Sequence, residues 1–383
     1  MGTLSSWVKK AGILWRHFRF FLSRQIGYPL VEPDMLQLCF LFRCNLRCKM
    51  CNIHERSEIV KRSGLSGELS YETIIKLITQ SQKMGIKQLF LLGGEPFLRE
   101  DIFDIIKYAN SSNMKTLVST NGSLLDNSDI IGRIFDSGLD DLMISIDGAC
   151  DDTFKKIRGE GIFEKILSNI RLFNSIKKAR GTLAPNIILF CTIMNQNIEE
   201  LIDVVNLARS LGASCVGFQP VVKDNTDSRL RDNPDLNWVP KDRYAVLDRS
   251  INALVDYKLS SKGNFDFIFT GVNQLRLIKR YFRGILPKQK CYTGFNRMII
   301  SQDGKMYFCA QEPIQGAISF GDIHKNDLRQ LWYSRQAGIF RKCIKKCSNP
   351  CLLGCTRRDE FDRFLESYRW SLYSQFGAKG KIS

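Results

Sequence analysis

Apolar positions along this chain alternate between two spacings. Leu36–Phe42 is a short, nearly continuous apolar run of the kind a buried strand makes, and Tyr71–Met84 carries its apolar residues at helical spacing. The pair recurs as strand Gln88–Leu92 with helix Ile102–Ala109, strand Thr116–Thr120 with helix Asp129–Asp136, and strand Asp141–Ile146 with helix Phe163–Ile176. Strand Ile187–Ile193, helix Glu199–Leu211 and strand Ser214–Gln219 complete the series. Strands joined by crossover helices predict a parallel sheet. Six units fall short of a closed eight-fold barrel. The expected fold is therefore α/β, a partial (β/α)6 TIM-like barrel over residues 35–221.

The flanks read differently. In residues 1–34, Leu4, Trp7, Val8, Ala11, Leu14, Phe18, Phe21 and Leu22 recur at helical spacing, and Met1–Leu30 holds five Lys/Arg and no Asp or Glu. This predicts a basic amphipathic helix that either lies on an anionic membrane surface or packs on the barrel. Residues 222–290 read as a connecting segment: a polar loop with Pro234 and Pro240, then a helix over Tyr244–Leu259. Cysteine becomes dense from Cys291, which places a small second domain at 291–383.

Composition narrows the chemistry. The chain has 383 residues, a 44% hydrophobic content and a net charge of +17. It has no apolar run long enough to span a bilayer and no cleavable signal, so the expected location is cytoplasmic, with the N-terminal helix allowing a peripheral position on the inner membrane face. The charge suits anionic lipid, an acidic peptide or, less well, nucleic acid. Thirteen cysteines without an export signal point to metal and not to disulfides. Three histidines, His17, His54 and His324, argue against a His-rich metal site or a serine–histidine triad.

Cys44, Cys48 and Cys51 are spaced C-x3-C-x2-C directly after the first strand. In a β/α barrel that loop lies on the active face. Three thiolates hold three irons of a cubane and leave the fourth open to a ligand. A structural zinc site wants four ligands, and His54 is the one local addition. With this spacing and position, the chain resembles the radical S-adenosylmethionine (SAM) superfamily, with Met50 where that family usually has an aromatic residue.

The resemblance gives meaning to turns that are weak motifs alone. Gly93-Gly94-Glu95-Pro96 after the second strand is similar to the family motif that grips the SAM amino group. Ser119-Thr120-Asn121-Gly122 and Ser145-Ile146-Asp147-Gly148 end the third and fourth strands, although Asn-Gly and Asp-Gly are also ordinary turn dipeptides. By resemblance, Ser119, Asn121, Ser145 and Asp147 contact the SAM ribose and carboxylate, Arg158 meets the carboxylate, and Asn195 and Gln219 line the ribose and adenine. The sequence assigns no substrate acid or base.

The C-terminal cysteines resemble a SPASM-type auxiliary-cluster domain. Cys291, an Asp303-Gly304 hairpin and Cys309 come first, followed by Gly321-Asp322-Ile323, Trp332 and then Cys343, Cys347, Cys351 and Cys355 at four-residue steps. The final run is more compact than the family's, and no cysteine follows Cys355. The resemblance groups Cys291, Cys309 and Cys355 on one auxiliary cluster and Cys343, Cys347 and Cys351 on a second. A single cluster, as in the shorter twitch-type domain, and a zinc site stay open. The resemblance implies reductive SAM cleavage to a 5′-deoxyadenosyl radical, hydrogen abstraction from a substrate, and an external one-electron reductant such as flavodoxin or ferredoxin. Such an enzyme is an oxidoreductase or a modifier of a ribosomal peptide. Oxidation or rearrangement of a sugar or aminocyclitol is the alternative, and a non-catalytic iron–sulfur electron carrier a third. The 34 residues ahead of the barrel are short for a leader-binding domain.

Overall fold

A computed structural model describes residues 12, 15, 16, 18–62, 64, 68–222, 237–260, 267–285, 291–309, 319–345 and 352. The six predicted strands form as β1 (Met35–Cys39), β2 (Gln88–Leu92), β3 (Lys115–Thr120), β4 (Asp141–Ser145), β5 (Asn186–Ile193) and β6 (Cys215–Pro220). All pair in parallel with their sequence neighbours, as strand–helix–strand crossovers allow. Strand pleating then sorts the residues. Leu36, Leu38, Leu89, Leu91, Val118, Leu142, Ile144 and Leu189 are fully buried, in one core with Ile74, Ile78, Ile105, Ile134, Ile170 and Val204 of the crossover helices. The alternate set, including Phe90, Ser119, Met143, Ser145, Phe190, Thr192 and Gln219, is only partly covered and lines the concave face.

Both edges of this sheet are extended. Beyond β6, Ile268 makes a parallel bridge with Val216, and Phe269 lies where a side chain on Gly217 would stand, 2.0 Å from its would-be Cβ. Helices Tyr244–Ser260 and Val272–Phe282 pack behind this edge. On the other side β1 pairs in parallel with β7 (Arg297–Ile300), from Met35↔Arg297 to Leu38↔Ile300. The hairpin then runs through Gly304, whose φ of +74° suits a glycine turn, to β8 (Lys305–Tyr307) and β9 (Gly321–Asp322). Among the described residues one nine-stranded sheet results, in the order β6-β5-β4-β3-β2-β1-β7-β8-β9.

Among the described residues, helices additional to those expected form at Ile53–Arg62, Asp151–Arg158, Val272–Phe282 and Arg335–Ile344. The N-terminal helix, described in part, runs to residue 26. Leu4, Trp7, Val8, Ala11 and Leu14 of its expected stripe lie outside the described residues. Of the rest, Phe18 and Leu22 are exposed, and Phe20 and Ser23 are buried instead, with Phe20 clustered against Val31 and Phe295. The basic residues hold this orientation: Arg16 pairs with Asp34, Arg19 donates to the Leu30 carbonyl, and Arg24 donates to the Cys291 carbonyl at 2.9 Å. Most of the polar segment 222–240 lies outside the described residues.

Candidate active site

The C-terminal ends of β1–β6 share one face, and the cysteine loop, residues 40–52, covers β1's end. That loop is held from three directions. Gly94 N donates to the Leu41 carbonyl at 2.9 Å and Glu95 N to the Arg43 carbonyl at 2.8 Å. Asn121 Nδ2 donates to Asn45 Oδ1 at 2.9 Å, and Asn45 Nδ2 to Ser123 Oγ at 2.8 Å. Lys49 N donates to the Ile157 carbonyl at 2.9 Å. The two glycines are required for the first contact. A Cβ on Gly94 would sit 1.8 Å from the Arg43 carbonyl oxygen, and one on Gly93 would sit 2.5 Å from that of Leu41. Their smallness therefore serves the seating of the cysteine loop.

Glu95 is fully buried. Its Oε1 accepts from Thr120 Oγ1 at 2.7 Å and Phe97 N at 3.2 Å, and its Oε2 from Asn121 N at 2.8 Å. Burial nevertheless pushes its pKa up to about 7, against the pull of those donors. Each carboxylate oxygen has more than one lone pair, so accepting from a ligand ammonium remains compatible with this bracing.

Arg158, at the end of helix Asp151–Arg158, is buried against Asp147, with Nε and Nη2 at 2.7 and 2.6 Å from Oδ2. Its Nη1 lies 3.7 Å from Cys48 Sγ. Burial lowers its pKa, but Asp147 and the neighbouring thiols outweigh that and hold it above the ordinary value. Asp147 Oδ1 accepts from Thr192 N at 2.7 Å, and the Asp147 carbonyl accepts from Asn197 Nδ2 at 2.8 Å. Ser119 and Ser145 are on the concave face nearby. Asn195 is engaged by Arg243: its carbonyl and Oδ1 both accept from Arg243 Nη1. Thr120, Asn45 and fully buried Asn197 were missed from sequence. Asn197, two residues beyond the expected Asn195, is the asparagine that meets Asp147, and no local motif marks it.

None of the described cysteines is in a disulfide. Burial pushes the Cys44 and Cys51 thiols up to about 11 and also raises Cys48, which Arg158 partly offsets. Thiols so shifted stay neutral near pH 7 unless a metal takes the charge. Among the described residues no three His, Cys, Asp or Glu side chains converge closely enough to hold a single metal ion. A cubane makes no such demand, because each thiolate meets a different iron. The donor set therefore fits an iron–sulfur cluster. In the C-terminal region Cys291 is buried, Cys309 is half-buried and Cys343 is exposed; Cys347, Cys351 and Cys355 lie outside the described residues.

A model of the radical SAM superfamily matches residues 38–208, and one of an iron–sulfur cluster-binding SPASM domain matches residues 291–356. The chain belongs to the radical SAM superfamily. Within it, the second match places the chain among the enzymes that carry a SPASM domain, and so with a SAM-cleaving [4Fe–4S] cluster, SAM and auxiliary iron–sulfur clusters. It is 26% identical over 312 residues to an AdoMet-dependent heme synthase of Methanosarcina barkeri, covering 78% of this chain and 81% of that one. It is 31% identical over 223 residues to a probable GTP 3′,8-cyclase of Methanocaldococcus jannaschii, covering 57% and 70%. Its match to the GTP 3′,8-cyclase of Clostridium perfringens strain SM101 spans 65% of that protein. SuiB of Streptococcus suis, solved with the precursor peptide SuiA, superposes with a TM-score of 0.60 at 15% identity, covering 90% of this chain and 75% of that one. A structure of anSMEcpe with AdoMet and the Cp18Cys peptide gives 0.60 at 16%, covering 90% and 98%.

Proposed function

We propose that this radical SAM enzyme modifies a ribosomally made peptide, with Cys44, Cys48 and Cys51 holding the SAM-cleaving cluster. The observation that carries the cluster assignment is the seating of the cysteine loop on the Gly93–Gly94 cradle, with Arg158 beside Cys48. Bound there, a reduced [4Fe–4S] cluster supplies the electron that cleaves SAM to the 5′-deoxyadenosyl radical. The chain's own residues bind and orient. Glu95 accepts from the SAM ammonium at the cradle formed with Gly93 and Gly94. Ser119, Asn121 and Ser145 present polar groups at the strand ends. Asp147 fixes Arg158, whose guanidinium favours anionic thiolates and meets the SAM carboxylate. Asn195, held by Arg243, and Gln219 line the SAM ribose and adenine. The partly covered concave face, with Phe90, Met143 and Phe190, shields the reacting centre from water.

Residues 35–221 are read as the catalytic barrel, 222–290 as the connection, and 291–383 as the auxiliary domain. Cys291, Cys309 and Cys355 are assigned to one cluster and Cys343, Cys347 and Cys351 to a second. The peptide reading is supported by SuiB and anSMEcpe, whose structures hold peptides and which resemble this chain across its catalytic and auxiliary parts alike. The small-molecule reading is favoured by the names of the sequence relatives, a heme synthase and GTP cyclases. Among the described residues no helix is long and apolar enough to cross a membrane. The exposed face of the N-terminal helix supports a cytoplasmic enzyme resting on the inner membrane surface, and flavodoxin or ferredoxin is the fitting reductant.

Reconstituted protein should carry about eight to twelve irons from two or three cubanes. Changing Cys44, Cys48 and Cys51 together to Ala should remove roughly four of these and abolish 5′-deoxyadenosine formation. Retained SAM cleavage would overturn the assignment. Stimulation of cleavage by short peptides encoded beside the gene, with a mass change in the peptide, supports the peptide reading. Stimulation by GTP or sugars alone supports the other.

A further inference from the structure

Arg341, in helix Arg335–Ile344, is 1% exposed and has no carboxylate partner among the described residues. Its Nε donates to the Gly294 carbonyl at 2.7 Å, and its Nη2 has no hydrogen-bond partner among the described residues. Aromatic rings wall it in: its Cζ lies 4.4 Å from the Trp332 ring centroid, 4.8 Å from Phe308 and 5.8 Å from Phe295. A guanidinium keeps its charge when buried. Ring faces offset part of the desolvation cost, but a buried cation without an anion is otherwise strongly disfavoured. The indole Nε1 of Trp332, whose ring faces Arg341, is also buried without a hydrogen-bond partner among the described residues.

The surroundings of Arg341 indicate which anion it would face. Gly294 lies three residues after Cys291, and Phe308 immediately precedes Cys309. Thr293 Oγ1 donates to the Phe308 carbonyl and so ties these two segments together. A thiolate-ligated iron–sulfur cluster is anionic, and both nearby charge and N–H···S hydrogen bonds set its potential. We propose that Arg341 is the counter-charge of the auxiliary cluster that Cys291 and Cys309 help to hold, with Nη2 and the Trp332 indole N–H as donors to its sulfurs. This rests on the assignment of those two cysteines to a cluster. Reduction adds negative charge, so a fixed cation beside the cluster stabilises the reduced form and raises its potential. Arg341 thereby makes this cluster a better electron acceptor.

The test is a potentiometric EPR titration of the full reconstituted chain and of Arg341→Met, Arg341→Gln and Arg341→Lys, with iron and sulfide measured in each. The neutral variants should lower the auxiliary midpoint enough to cut the reduced-to-oxidised ratio at a fixed ambient potential about tenfold, or about 59 mV for a one-electron couple. Arg341→Lys should stay close to the parent, and the barrel cluster's midpoint should not move. Loss of auxiliary iron in both neutral variants with retention in Arg341→Lys also supports the proposal. Neutral variants at full iron with the parent midpoint overturn it, as does loss of auxiliary iron in all three variants, which would make Arg341 a packing residue. Absence of auxiliary iron in the parent chain overturns the cluster assignment and the role of Arg341 together.

Discussion

Glu95 joins the ends of β2 and β3 beneath the cysteine loop, and its environment makes its charge costly. A carboxyl whose pKa rises from 4.5 to about 7 on folding binds its proton more tightly in the folded chain. Stability contributed in this way is full below pH 4.5 and falls as pH rises through about 7. The shift corresponds to on the order of 3 kcal/mol at the alkaline limit. For the chain without SAM, the thermal midpoint should drop between pH 5 and pH 8, and Glu95→Gln should flatten that drop. An equal slope in both proteins would remove Glu95 as the source. Such residues were only half legible in the sequence. Gly-Gly-Glu announced itself by position, but the reason for its glycines did not, because the Arg43 carbonyl they accommodate belongs to another strand's loop. Thr120 and Asn197 carry no local pattern at all; their importance lies in what tertiary contact brings to them.

At the scale of elements, strand β2 forms at its expected bounds and most crossover helices within a few residues of theirs, because period alone decides such segments. Two of the missed helices fail that test for identifiable reasons. Ile53–Arg62 buries only Ile53 and so has no apolar stripe to read. Asp151–Arg158 is short and charged at both ends. The N-terminal helix posed a different problem, since it has two apolar sides. Phe20 faces the body, and Trp15, Phe18, Leu22 and Ile26, at 61, 50, 37 and 53% exposure, form a stripe facing away. Apolar burial and attraction to acidic lipid are the two terms that hold interfacial helices, the latter worth about 1 kcal/mol per basic residue near the surface. The intact chain should sediment with phosphatidylserine-containing vesicles, less so in high salt. Replacing those four residues by Ser should reduce binding at least about tenfold while leaving the Phe20 contact and the fold in place. Equal, negligible sedimentation of parent and variant would rule out the membrane surface.

Across the whole molecule, the barrel and the cysteine-rich region share one sheet through the β1–β7 ladder. Nothing in either strand names the other; a sequence boundary at residue 291 is visible, but a pairing across so long a separation is not. A chain ending at residue 285 keeps all six barrel strands yet leaves β1 with an unpaired edge. That truncation should express mainly as aggregate, read by light scattering and size exclusion, whereas a monodisperse product would mean that β1 does not need its second neighbour. The same ladder sets an order of events during synthesis. Strand β1 leaves the ribosome early and pairs with β2, but its other side stays open until residue 297 has emerged. For most of its translation the nascent protein displays a half-finished sheet next to Cys44, Cys48 and Cys51. A holding chaperone acting before β7 appears, and cluster delivery after it, would spare the chain both hazards.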